Sequence, residues 1–284
     1  MSVSDYDLPA VAAGLPAVPL TMEGAGVLHQ VMSFRWTAWR GLSSADRDGI
    51  LREAEALLTP AESGGASAVY SVLGHKGDLL LVHFRDTFPE LNGIQLALNR
   101  LRLREYLCPR ASYVSVVELG LYESSVKLYR ALIERGVVAH SEEWNQEVAQ
   151  LLERQRAAMR PRLFPKVPQA RFLCFYPMDR RRGETKNWYT LPIEERKRQM
   201  EEHGAVGRRY AGKVQQIISG SIGFDDWEWG VDLFGDDPIV FKKLIAEMRY
   251  DEVSGVYSSF GTFYLGLRCP VAKLGALFEG TAPE

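Results

Sequence analysis

One order of elements occurs twice in this chain, and it constrains the fold more than any single motif. Val27 to Trp36 is rich in β-formers and has little helical period. Ser43 to Leu58 opens on a Ser/Asp start and carries apolar residues at Ile50, Leu51, Ala54, Leu57 and Leu58, which predicts a helix. Ala66 to Leu73 and Leu79 to Phe84 read as strands around a turn at Gly74 to Asp78. Phe88 to Leu103 has helical period, and Ser112 to Leu119 alternates as a strand. A second pass begins at Arg171. The strand Arg171 to Pro177 is followed by a helix from Pro192 to Arg209, whose first turn holds Glu194 and Glu195. Strands Lys213 to Ser221 and Asp226 to Phe234, a helix Pro238 to Arg249 and a strand Thr262 to Leu267 complete it. The order strand, helix, strand, strand, helix, strand therefore returns about 145 residues later.

That order is the βαββαβ of a ferredoxin-like unit, so the chain reads as an α+β protein with two such units in tandem. Each antiparallel sheet has one face covered by its two helices and one face open. Packing the two open faces together gives a dimeric α+β barrel within one chain. The expected divisions are an extended N-terminal arm over 1–22, a first unit over 23–119, and a linker over 120–169. A second unit over 170–268 and a tail over 269–284 follow. The arm is expected to lie on a partner subunit. In the linker, Ser141 to Met159 reads as an amphipathic helix, and Arg160 to Pro168 as an ordered basic loop.

Charge and cysteine usage exclude several classes. Lys+Arg 34 against Asp+Glu 36 leaves a net charge of −2, so no field draws the chain to nucleic acid or anionic lipid. The three cysteines, Cys108, Cys174 and Cys269, form no CxxC, which argues for a reduced, cytoplasmic protein rather than a disulfide or zinc scaffold. Residues 1–22 lack a basic leader, and no window approaches ~18 apolar residues, so neither a signal peptide nor a membrane span is expected.

The chemistry-bearing residues gather in the second unit. His203 precedes Gly204 at the end of a helical stretch, with Met200 on the same face. Two readings stand. A last-turn histidine ordinarily caps its own helix carbonyls. A single neutral imidazole also suffices to hold haem iron, because the porphyrin supplies the other four ligands. No HExxH is present, so this is not a zinc helix. His29, His75, His83 and His140 stand singly and read as structural or solvated. The run Arg180 to Arg182 is either a solvated loop or a set of carboxylate anchors, with Arg162, Arg208 and Arg249 as further members if the fold unites them. The aromatics Trp227, Trp229, Tyr257, Phe260, Phe263 and Tyr264 read as core. Gly220 to Gly223 is too short for a phosphate loop.

Several strings in register carry a resemblance: Phe175 to Met178, Asn187 to Tyr189, His203 to Tyr210, Lys213 to Gln216, Gly220 to Gly230, and Glu247 to Ser254. Together they resemble the chlorite dismutase superfamily, and within it the coproheme decarboxylases of haem biosynthesis. The resemblance spans most of 24–268 and is densest from 160 to 268. It implies a tandem ferredoxin-like barrel assembled as a homopentamer. It implies oxidative decarboxylation of two propionates of iron-coproporphyrin III (coproheme) to vinyls, giving haem b, with hydrogen peroxide as co-substrate. A transient contact with the ferrochelatase that delivers coproheme is implied as well.

Residue by residue, His203 matches the proximal iron ligand, and Tyr176 the tyrosine that becomes a radical. Gln216 matches a distal glutamine. Arg162, Arg208, Arg249 and Ser254 match groups holding propionates, and Met178 lies by the reactive propionate. Arg180 stands where many relatives carry lysine, which keeps the charge but removes a proton-donor role. Gln216 replaces the distal arginine of the chlorite-degrading relatives and argues against chlorite chemistry. A non-catalytic haem or porphyrin carrier and a chlorite-degrading oxidoreductase remain the alternatives.

Overall fold

A computed structural model of the chain describes residues 14–283. The first half contains β1 (Thr21–Phe34), α1 (Trp36–Arg40), α2 (Ser44–Ser63), β2 (Ser67–Val72), β3 (Leu79–Arg85), α3 (Phe88–Arg100) and β4 (Leu107–Gly120). Two helices, α4 (Tyr122–Glu134) and α5 (Glu142–Leu163), connect the halves. The second half contains β5 (Phe172–Arg180), α6 (Ile193–Arg208), β6 (Gln215–Gly220), β7 (Trp229–Gly235), α7 (Pro238–Met248), α8 (Glu252–Gly255), β8 (Ser258–Phe260) and β9 (Tyr264–Arg268). Helix α9 (Leu274–Phe278) follows.

The strand order is β4-β1-β3-β2 in the first half and β9-β5-β7-β6 in the second, the same ferredoxin-like pattern twice. β2 pairs with β9 and β4 with β6, so the two sheets join along both edges and close into a barrel. Every pairing is antiparallel. The expected barrel is therefore found, with β8 added as a short strand on β5.

The two-residue strand period decides what lies inside and outside. Val27 and Val31 of β1, Tyr70, Val82, Leu173, Phe175 and Phe234 fill the barrel. Between the two valines sits His29, fully buried, with Nε2 2.8 Å from Oδ1 of Asp232 on β7 and its ring stacked on Phe175 at 3.8 Å. His83 Nδ1 likewise meets Ser67 Oγ at 2.7 Å. Both histidines are structural, as expected. The opposite strand faces carry the helices. α2, α3 and α9 cover the first half through residues such as Ile50, Leu58, Leu98 and Phe278. α6 and α7 cover the second, where Val206, Phe241, Leu244 and Met248 meet Cys174, Tyr176, Met178 and Leu233. Each such side chain contributes about 1.5–3 kcal/mol on burial.

Several boundaries differ from expectation for identifiable reasons. β1 starts at Thr21, so residues 21–22 belong to the barrel and not to an arm. Leu20 N–H donates to Ser125 Oγ at 2.8 Å and Tyr129 O–H to the Val18 carbonyl at 2.9 Å, which lays this segment on α4 of its own chain. The rest of the expected arm, 1–13, lies outside the described residues. α4 is an unanticipated helix, buried through Val126, Tyr129 and Leu132. Residues 271–278, expected as a tail, pack into the first half, with Phe278 stacked on Phe34 at 4.1 Å. The basic stretch after Met159 is not a loop at first: α5 continues through Pro161 and Arg162 to Leu163. It stops there because Phe164, which precedes Pro165, is disfavoured in helical backbone. No described helix is long and apolar enough to cross a membrane.

Candidate functional site

A cavity of about 910 Å³ lies between the outer face of the second-half sheet and helices α6 and α7. That is near the top of the range for small-molecule pockets, about 300–1,000 Å³. Residues of the β1 entry and α4 bound it on one side, and the end of α5 on another. The end of α5 reaches the cavity because β1 has a glycine where they meet. A Cβ at Gly24 would collide with the backbone carbonyl of Leu163, so only glycine allows this approach.

His203 lines the cavity from α6. Gly204 does not end the helix, which runs on to Arg208. The imidazole is thus mid-helix and does not cap carbonyls; that reading is overturned. Nδ1 instead lies 2.8 Å from Oδ2 of Asp251, with Ser254 Oγ at 3.4 Å. Asp251 Oδ1 also accepts the Ser254 amide at 2.7 Å as the N-cap of α8. Burial opposes the charged carboxylate, but the His203 and Ser254 hydrogen bonds outweigh it and hold its pKa below the ordinary value. An ionised Asp251 fixes the proton on Nδ1 and leaves the Nε2 lone pair free for a metal.

Tyr176 lies where β5 changes partners. β9 pairs with β5 through Phe175, and β8 pairs with it from Met178 onward. Pro177, which has no N–H to give, occupies the gap; its carbonyl accepts from Gly261 N–H at 2.8 Å. The Tyr176 side chain points outward into the cavity, only 5% exposed, with its ring stacked on Phe263 at 4.3 Å. Burial and the neighbouring Cys174 push the phenol pKa up; Arg249 and Arg180 pull against them. The O–H therefore stays protonated at neutral pH. Burial also pushes the Cys174 thiol up to about 12, so it is inert.

Met178, Arg180, Gln216, Arg249, Ser254 and Arg162 also line the cavity. Arg180 turns inward from β5: its Nη1 donates to Ser258 Oγ at 2.7 Å, its Nη2 lies 3.7 Å from Met200 Sδ, and its guanidinium sits over Trp188 at 4.9 Å. The Arg249 guanidinium lies 3.6 Å from the Phe260 ring centre. Gln216 faces out from β6, paired with Leu233. Arg208 is the one expected site residue not in the cavity wall itself, but its Nη1 lies 3.2 Å from where a Cβ on the wall residue Gly204 would stand. It is exposed. It follows Gly204 by four residues, so it shares that residue's helix face and its guanidinium stands at the margin of the cavity.

Residues outside the sequence-based set also form the wall. Trp229 and Phe260, read as core, line the cavity. Arg196 lines it too, 3% exposed. It precedes His203 by seven residues and so shares its helix face, the signal that could have found it. Tyr189 reaches over from the other rim, its O–H donating to Glu228 Oε2 at 2.8 Å.

Known proteins share this architecture. A model of the chlorite dismutase family matches residues 47–269. A haem-binding protein of Thermus thermophilus is 36% identical, with TM-score 0.78 over 94% of this chain and 99% of that one. Chlorite dismutase from Candidatus Nitrospira defluvii, solved in complex with imidazole, shares the fold at 17% identity and TM-score 0.66, over 90% of this chain and 95% of that one. With the family pattern matched over most of its length, this chain belongs to the chlorite dismutase family.

Proposed function

We propose that this protein oxidatively decarboxylates two propionates of coproheme to vinyls, with hydrogen peroxide as oxidant, and so produces haem b. The observation that carries this reading is that a buried, protonated phenol and a carboxylate-oriented imidazole line one cavity together with guanidinium groups. The 36% identical haem-binding protein supports a porphyrin ligand. Coproheme is both substrate and redox centre, and its iron supplies the oxidation of Tyr176 by peroxide.

The chain supplies geometry and electrostatics. Asp251 orients His203, whose Nε2 would hold the iron. Arg180, Arg249 and Arg162 meet carboxylates and fix the rotation of the macrocycle, which decides the arm that faces Tyr176. Oxidation takes the electron and the proton of the phenol together, and that proton with one from solvent goes to the oxygens of peroxide. The phenoxyl takes a hydrogen atom from the propionate β-carbon. A second electron leaves as the carboxylate departs as CO2 and the vinyl forms. One hydrogen peroxide takes up the two electrons and becomes two waters. The neutral amide of Gln216 has no charge to hold an oxychlorine anion, which favours this reading over chlorite breakdown.

Anaerobic loading with coproheme, then stepwise peroxide with mass detection of the porphyrin, tests it. Two successive losses of CO2 with two hydrogens are expected. An unchanged porphyrin mass would make the protein a carrier. Oxygen release from chlorite would restore the chlorite reading.

A further inference from the structure

Two surface cations beside Arg196 on α6 have carboxylate partners. Lys197 pairs with Glu201 at 2.5 Å, and Arg198 with Glu195 at 2.5 Å and Glu202 at 2.6 Å. Arg196, one residue away but 3% exposed, has no carboxylate partner among the described residues. One Nη donates to the Ala17 carbonyl, the phenols of Tyr122 and Tyr189 lie close, and Nε makes no hydrogen bond within the protein. A guanidinium stays charged even when buried, and a buried charge is costly unless it is paired. Arg196 therefore brings to the cavity it lines a fixed positive charge with no carboxylate against it, while its buried Nε makes no hydrogen bond in the protein.

Its position names the ligand group. Met200 sits one turn beyond Arg196 and one turn before His203, and touches Arg180 at 3.7 Å. Arg180 acts electrostatically on Tyr176. Arg180 thus stands between the reactive phenol, which it influences electrostatically, and Met200, one helical turn from Arg196. We propose that Arg196 anchors a carboxylate subsite in the cavity wall, serving the acid arm at the Tyr176 edge of the macrocycle. This rests on the function proposed above and adds selectivity to it. A macrocycle with carboxylates at that edge is held, while one with vinyls there leaves Arg196 without a carboxylate and is released. Arg196 is a substrate-selecting residue in this scheme.

The test compares iron-coproporphyrin III with haem b, each titrated into the wild type, Arg196→Gln and Arg196→Lys under ferric conditions without peroxide. The glutamine variant should lose about tenfold or more in coproheme affinity, the size of one charge-assisted bond, and leave haem b affinity unchanged. The lysine variant, which keeps the charge but not the planar fork, should fall between. Equal weakening of both ligands would reduce Arg196 to a clamp on the Ala17 carbonyl and overturn the subsite alone, as would unchanged selectivity in both variants. Failure of the wild type to bind either porphyrin would overturn the proposed function, and the subsite with it.

Discussion

Asp251 serves two groups at once: Oδ2 holds His203 Nδ1 at 2.8 Å while Oδ1 holds the Ser254 amide at 2.7 Å. The carboxylate that starts α8 is thereby the one that aims the imidazole. Asp251→Asn keeps an acceptor oxygen but removes the charge. If His203 holds the iron as proposed, ligation should weaken about 10–100-fold, as for other outer partners of metal-bound histidines. Displacement of the protein ligand from ferric coproheme by added imidazole, followed in the Soret band, measures this.

Tyr176→Phe retains the buried ring and its stacking on Phe263 and removes only the O–H. Coproheme affinity should change by less than about twofold, and the decarboxylation rate should fall by at least about 10²-fold, as for loss of a group that acts only in the chemical step. Binding titrations and porphyrin mass after peroxide give the two readouts. Normal haem b yield from the variant would remove Tyr176 from the mechanism.

Inside the barrel, Asp232→Ala leaves His29 buried with neither ring nitrogen bonded. The cost is about 3 kcal/mol or more. Because the pair joins β1 to β7, it destabilises both halves together. A fall in Tm on the order of 10 °C in a single calorimetric transition is expected.

His83 sets a pH dependence. Burial, aided by Arg85 and His29, pushes its pKa from 6.5 down to about 3. The folded imidazole is neutral at pH values where the unfolded one takes a proton. Its contribution is constant above pH 6.5 and is lost as pH falls through the window below it, by up to about 1.4 kcal/mol per pH unit. Urea midpoints between pH 7 and 4 should fall less steeply in His83→Gln than in the wild type, by the equivalent of one proton.

The barrel was legible because element order depends on long periodic segments. α2 and α7 declare themselves through Ile50, Leu58, Phe241 and Leu244. The helix around His203 was harder. Glycine reads as a stop, but tertiary packing carries α6 past Gly204 and Gly207, where Met248 lies in ordinary contact with the space a Cβ would fill. Arg196 was hidden because it stands in the charged string Glu194 to Glu202, which reads as a solvated face; only the fold reveals that one arginine points inward. Arg208, matched by motif, stands at the cavity margin one turn beyond Gly204, a placement that its own helix spacing to His203 does not suggest. α8 and β8, of four and three residues, are too short for any period to mark.

The joints β2–β9 and β4–β6 carry a further consequence. Each half, taken separately, would show water two unpaired strand rims and a bare apolar sheet face, a template for self-association. The chain avoids this by supplying both complementary pieces on one polypeptide, at equal stoichiometry. That lets the two halves diverge in role: one keeps its outer groove for chemistry while the other fills its own with α9.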